Sequence, residues 1–205
     1  MIIHDPDEIE RRSMEIIESE LSVPISPENK AVVKRVIHCT ADFEYAQNLV
    51  FSEGAVEKAL RTLKGGCTIV TDTQMAKSGI NKTVAGKLGC EILCFMSDPD
   101  VAEIAKKMGC TRAVASMEKA SRLGGPLVFA IGNAPTALLR IREMMDEGTL
   151  RPELVIGVPV GFVNVVESKE AIMETDVPYI VARGRKGGSN VAAAIVNALM
   201  YQLTR

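Results

Sequence analysis

From Cys67 onward the chain repeats one alternation: a short, nearly unbroken apolar run, then an amphipathic stretch. The runs are CTIVT (67–71), EILCF (91–95), PLVFAIG (126–132), LVIGVPV (154–160) and PYIVAR (178–183). Stretches such as DPDVAEIAKKMG and APTALLRIREMMDEG lie between them. A strand with one wet face alternates apolar and polar residues; these runs do not, so both of their faces are buried. Buried strands joined by helical crossovers form a parallel sheet sandwiched between helical layers. The expectation is an α/β fold: a three-layer, parallel five-stranded sheet of Rossmann-like type, with right-handed crossovers.

The first third reads as extra N-terminal helices. DPDEIERRSMEIIESEL opens on capping residues and carries Ile9, Ile16, Ile17 and Leu21 at helical spacing. SPENKAVVKRVIH offers Ser26 as N-cap and Pro27 at the first helical position, with Val32, Val33, Val36 and Ile37 as the core face. FEYAQNLVF and EGAVEKALRTLKGG read as two further helices, the second ending in glycines. The helices cover about 5–64 and the sheet region about 65–205. No repeat, low-complexity tract or linker divides the chain, so 1–205 is expected to be a single domain.

Composition narrows the function. Hydrophobic residues make up 47% of the 205 and aromatic residues only 4%, so the core is aliphatic. The net charge of -2 argues against a nucleic-acid surface, and any anionic ligand must be met by locally clustered cations. The five cysteines are an odd number, as expected of reduced thiols in a cytoplasmic protein. Cys90 and Cys94 fall in one short strand with no His or second Cys pair to complete a metal site, and read as buried hydrophobes. MIIHDPDEIERR has no signal-length apolar run, and no segment reaches membrane-spanning length without charge, so no membrane partner is expected.

In parallel α/β sheets, ligands bind beyond the carboxyl ends of the strands. There the sequence places TDTQMAKSGI, GNAPTA, PVGFVN and RGRKGGS. RGRKGGSN combines a double glycine, a helix N-terminus and the cations Arg183, Arg185 and Lys186, followed by Ser189. That combination suits carboxylate or phosphate, although a tight turn with solvated cations has the same composition. It is neither a Walker loop nor, with no G-x-G-x-x-G after the first strand, a dinucleotide fingerprint. A nucleotide-dependent enzyme is therefore the weaker alternative. Asp72 can cap the next helix or touch a ligand, and Arg112 can pair with Glu118 or a ligand. Arg35 and His38 share one helix face, which on spacing alone is a solvated face ending in a histidine. Ser13 lies among Ile9, Ile16 and Ile17, where a satisfied core hydroxyl is the plain reading.

Together, ERRSMEII, VIHC with Asp42, TDTQMAKSGI, TRAVAS, IGNAPTALLRI, GVPVGFVNVVESK and RGRKGGS resemble the precorrin-8X (cobalt-precorrin-8) methylmutases of corrin biosynthesis. The motifs run in order through nearly the whole chain. The resemblance implies an isomerase that moves a methyl group from C11 to C12 of a tetrapyrrole polycarboxylate, giving hydrogenobyrinate or cobyrinate. It implies no cofactor, because the methyl donor is the substrate itself, and it implies a homodimer with the site near the subunit interface. The catalytic histidine of the family falls on His38. Substrate contacts fall on Ser13 and Arg35, with Arg112, Arg183, Arg185 and Ser189 added from the motifs. The other alternative, a tetrapyrrole carrier without catalysis, needs no acid at His38. Two places depart from the family pattern: Ala41, where many members have Gly, and Asn164–Val166, where small residues are usual.

Overall fold

The structure, a computed structural model, describes residues 2–204. The N-terminal segment forms α1 (Pro6–Glu20), α2 (Pro27–Thr40), the single turn α3 (Tyr45–Asn48), β1 (Leu49–Phe51) and α4 (Ala55–Lys64). Then follow β2 (Thr68–Thr71), α5 (Gln74–Gly79), α6 (Lys82–Lys87), β3 (Glu91–Leu93), α7 (Pro99–Met108) and α8 (Arg112–Ala120). The chain continues through β4 (Leu127–Ile131), α9 (Pro135–Asp146), β5 (Leu154–Gly157), α10 (Val165–Met173), β6 (Tyr179–Ala182) and α11 (Ser189–Thr204).

The sheet order is β1-β6-β5-β4-β2-β3, with β2 to β6 parallel. The five expected strands are all present. Their side chains divide with a period of two. Ile69, Val128, Ala130, Leu154, Ile156, Ile180 and Ala182 enter the core beneath α2, α4 and α11. Val70, Leu127, Phe129, Ile131, Val155 and Val181 enter the opposite core, beneath α8, α9 and α10. Both sets are buried, which is why the runs show no polar alternation. The connection from β2 to β3 runs along the α11 face and the later connections along the other. The order therefore reverses between β2 and β4, and a crevice opens beyond the carboxyl ends of that pair.

A sixth strand escapes the sequence reading. FEYAQNLVF is not one helix: after one turn it becomes β1, antiparallel to β6 with Leu49 opposite Ala182 and Phe51 opposite Ile180. Main-chain bonds from Arg183 N–H to Asn48 (2.8 Å) and from Ser52 N–H to Tyr179 (3.1 Å) extend the pairing. Three residues cannot display a period, and what makes them a strand is the unpaired edge of β6, which lies far away in sequence.

The helical expectations hold at α1 and α2, and α2 buries Val32, Val33, Val36 and Ile37. Asp5 caps α1 by accepting from Glu8 N–H, whereas the Ser26 side chain makes no capping bond. The α1 stripe is only partly used. Ile17 is buried, but Ile9 and Ile16 are each 44% exposed, because α1 packs on α2 from outside rather than on the sheet. Cys90 and Cys94 are buried on either side of β3, and the sulfur of Cys90 lies 3.7 Å from that of Cys67.

Both departures from the family pattern fall at a special backbone position. Ala41 (φ 53°) and Asn164 (φ 59°) are the two non-glycine residues with positive φ among those described. Asn tolerates this conformation; Ala does not do so readily. At Ala41 the left-handed turn ends α2, with the Ala41 N–H bonded to the Ile37 carbonyl, where glycine is the usual solution. Ala41→Gly is expected to raise the unfolding free energy by about 0.5–1 kcal/mol, the relieved strain less the extra entropy of the unfolded chain. Urea denaturation reads the difference, and a midpoint at or below the parent's would contradict it.

Candidate functional site

The carboxyl ends of β2 and β4 are tied together by one carboxylate. Asp72, fully buried just past β2, accepts from the main-chain N–H groups of Gly132 (2.8 Å), Asn133 (2.8 Å) and Ala134 (2.6 Å). It therefore caps the entry to α9 from a neighbouring strand, not the helix that follows it in sequence. Burial pushes its carboxyl upward from the ordinary range, and the three N–H groups pull it back down. The next helix, α5, is capped by Thr73, whose hydroxyl accepts from Ala76 N–H (3.0 Å) and lies 2.7 Å from the Ser189 hydroxyl. Ser189 thus joins the start of α11 to the end of β2.

The loop after β6 is held from both sides. Lys169 of α10 is fully buried and donates to the carbonyls of Gly184 (2.7 Å) and Lys186 (2.8 Å). No carboxylate pairs with it among the described residues, and burial alone pushes its ammonium down to about 8. On the other side Lys186 pairs with Asp42 (2.6 Å) and Glu44 (2.9 Å), fastening the loop to the segment after α2. That pairing holds the Asp42 carboxyl below its ordinary range. The three cations of RGRKGGS are drawn in three different directions. Arg183 pairs with Glu170 (3.1 Å), Lys186 with Asp42 and Glu44, and Arg185 lies over the ring of the exposed Phe162, 5.5 Å from its centroid.

His38 occupies the last turn of α2 and is exposed. It stands on a ridge between two recesses. One, of about 230 Å³, brings it together with Ser13, Ile17, Glu20 and Phe43. The other, of about 290 Å³, brings it together with Arg35, Asn190, Asn197 and Tyr201. The Ser13 hydroxyl donates to the Ile9 carbonyl (2.7 Å), the plain reading of a serine in a helix, yet it borders the histidine's recess. Arg35 pairs with Glu10 and lies over the Tyr201 ring, 5.4 Å from its centroid. Arg112 begins α8 and is exposed. It does not pair with Glu118, whose carboxylate is taken by Arg140 (2.6 Å). No contact joins Arg112 to the other candidates among the described residues.

The structure thus groups Ser13, Arg35 and His38 around α2, and Arg185 and Ser189 along the adjoining loop, with Asp42–Lys186 as the strap between. Sequence reasoning missed Lys169, Phe162 and Tyr201. A lysine within an amphipathic helix carries no mark of burial, and the ring contacts of the other two are made across the fold. A depression of about 630 Å³ lies at the amino ends of the strands, lined by Lys58, Arg61, Arg151, Glu153 and Asp176. Helix α4 turns its C-terminal, electronegative end toward it, and Arg61 and Arg151 already face Glu57 and Asp176, so it is poorly suited to a polyanion. Among the described residues no group of three or more His, Cys, Asp or Glu is placed to hold a metal ion, and no helix is long and apolar enough to cross a membrane.

Comparison with known proteins agrees with the motifs. The precorrin-8X methylmutase family profile (CbiC) matches residues 8–202. The cobalt-precorrin-8 methylmutase of Priestia megaterium is 45% identical over 195 residues, covering 95% of this chain and 87% of that protein. The precorrin-8X methylmutase of a Sinorhizobium species is 38% identical over 201 residues, covering 96% and 95%. A solved structure, the precorrin-8x methyl mutase of Thermus thermophilus, superposes with a TM-score of 0.85 at 41% identity, covering 94% of this chain and 96% of that one. This chain belongs to the precorrin-8X methylmutase family and is an isomerase of the methylmutase type.

Asp72→Asn is expected to cost about 2–3 kcal/mol of stability, since one end of the amide must turn a donor toward main-chain N–H groups. Chemical denaturation checks this, and a loss below about 0.5 kcal/mol, the level of an ordinary surface substitution, would mean that the carboxylate does not hold the edge together.

Proposed function

We propose that this methylmutase acts in cobalamin biosynthesis, moving the methyl group from C11 to C12 of precorrin-8X or its cobalt-bound counterpart. The reaction breaks the C11–methyl bond and forms the C12–methyl bond within one molecule, so it consumes no other reactant. The observation that carries the site assignment is the placement of His38 between a recess bearing Ser13 and a recess bearing Arg35. His38 is the general acid of this reading: an imidazole can give a proton near neutral pH, and protonating the ring system lowers the barrier to migration. Arg35 and Arg185 receive peripheral carboxylates, Arg112 and Arg183 extend the rim, and Ser13 and Ser189 supply hydroxyls. No cofactor, nucleic acid or membrane enters the proposal, and the cytoplasm is where such an enzyme would work.

The same reading includes a homodimer. Recesses of about 230 and 290 Å³ fall short of the roughly 300–1,000 Å³ usual for small-molecule pockets, and a corrinoid lies at the upper end of that range. A second subunit would supply the missing wall, and the exposed Ile9 and Ile16 of α1, beside Ser13, offer apolar surface for it. Light scattering at micromolar concentration is expected to give twice the chain mass, and a monomer mass would remove this part of the proposal.

His38→Ala is expected to slow single-turnover conversion about a hundredfold to ten-thousandfold, roughly 3–5 kcal/mol in the barrier, with little change in product affinity. Arg35→Ala is expected to weaken binding more than turnover. The colour change between substrate and product follows the reaction. Conversion at near the parent rate in His38→Ala would make the histidine a bystander and favour a carrier. Product affinity is also expected to fall as salt rises, because exposed charge attraction is screened; superimposable titrations at low and high ionic strength would refute the arginine contacts.

A further inference from the structure

Lys169 is the one fully buried ammonium among the described residues, and nothing in the reaction uses it. Its two acceptors, the carbonyls of Gly184 and Lys186, bracket Arg185. In a trans peptide the N–H points opposite to the carbonyl of the same unit. The peptide that turns the Gly184 carbonyl toward Lys169 therefore turns the Arg185 N–H away from it. The Lys186 carbonyl does the same for the Gly187 N–H. Among the described residues neither of these N–H groups has an acceptor, whereas the neighbouring Gly188 N–H bonds to the Val158 carbonyl (2.9 Å). The side they face is marked by the Arg185 carbonyl, which accepts from Gly161 N–H (3.2 Å) next to the exposed Phe162. Two oriented donors, one of them on the residue whose guanidinium lies over the Phe162 ring, suit an anion-binding concavity of main-chain type.

We propose that Lys169 is a positioning residue for polycarboxylate binding: it fixes the 184–187 backbone so that the Arg185 and Gly187 N–H groups form a carboxylate cradle. Lys169 does not touch the ligand. It acts through the backbone, and a buried cation without a counter-ion adds attraction for an anion on the far side of the loop. The proposal rests on the reading of this edge as the macrocycle site, and it assigns that site a main-chain contact that no arginine substitution would reveal.

The test has two arms, both on the full chain. In the first, the backbone amide resonances of Arg185 and Gly187 in isotope-labelled parent protein are followed as citrate is added, a polycarboxylate unrelated to the macrocycle. Both should move, and immobility of both overturns the cradle without recourse to any variant. In the second, Lys169→Met and Lys169→Gln, each checked for cooperative unfolding, are titrated with hydrogenobyrinate and assayed in single turnover. Lys169→Met should raise Kd and KM about tenfold to a hundredfold, with kcat changed by less than about threefold. Lys169→Gln, which keeps a donor, should lie between it and the parent. A variant that folds and binds hydrogenobyrinate as the parent does overturns the proposal. Should Lys169→Met fail to fold, the glutamine variant and the citrate arm decide. If the parent binds no hydrogenobyrinate while citrate still moves both amides, the substrate reading fails and the cradle stands.

Discussion

The carboxyl edge of the sheet depends on backbone meeting backbone. A Cβ at Gly132 would lie 2.7 Å from the Ser189 Cα, and one at Gly187 would lie 2.1 Å from the Val158 carbonyl oxygen. Neither position has positive φ, so here glycine is required for space and not for conformation. The absence of two side chains lets the ends of β4, β5 and β6 and the start of α11 pack against one another. Backbone packed so closely needs partners for its polar groups. Asp72 supplies them at Gly132–Ala134, and Lys169 at Gly184 and Lys186. One buried anion and one buried cation, at two places along the edge, thus satisfy the main chain that surrounds the proposed site.

What the sequence discloses follows from the range of the forces involved. The five parallel strands were legible because burial on both faces leaves unbroken apolar runs. The main N-terminal helices were legible from their spacing and caps. β1 was not, since its cause is the free edge of β6. The stripe on α1 misled in part: Ile9 and Ile16 have helical spacing but meet solvent in a single chain. Of the site, the glycines and cations of RGRKGGS were visible, but their charge partners were not. Glu170, Asp42 and Phe162 reach that loop through the fold. Asp72 was seen as a cap, though for the wrong helix, because the strand order that sets it beside Gly132 is a property of topology.

The charges bear on how a protein of net charge -2 can hold a polycarboxylate. Arg35 is paired with Glu10, Arg183 with Glu170, and Lys186 with Asp42 and Glu44. A substrate carboxylate that engages one of these must displace a carboxylate already there. The net gain is the difference between two similar pairings, and for exposed pairs each pairing is itself worth only about 0–1 kcal/mol. Arg185, placed on an aromatic ring, has no carboxylate competitor among the described residues. Affinity should therefore concentrate at the 184–187 loop, while the paired cations sort ligands by the spacing of their carboxylates.

That division has a consequence for catalysis. On the proposed reaction, substrate and product are isomers that differ in the position of one methyl group, and their carboxylates are the same. Contacts to those carboxylates hold substrate, transition state and product about equally, which is uniform binding and cannot lower the chemical barrier. The barrier must fall through groups that face the ring itself, where charge and conjugation change as the methyl migrates. Of the candidate site residues only His38 combines a titratable group suited to neutral pH with a position on the ridge between the two recesses. On the proposed site the basic loop can therefore be nearly complete in its hold on the macrocycle and still leave the reaction to α2, where the left-handed turn at Ala41 sets the end of the helix just beyond the histidine.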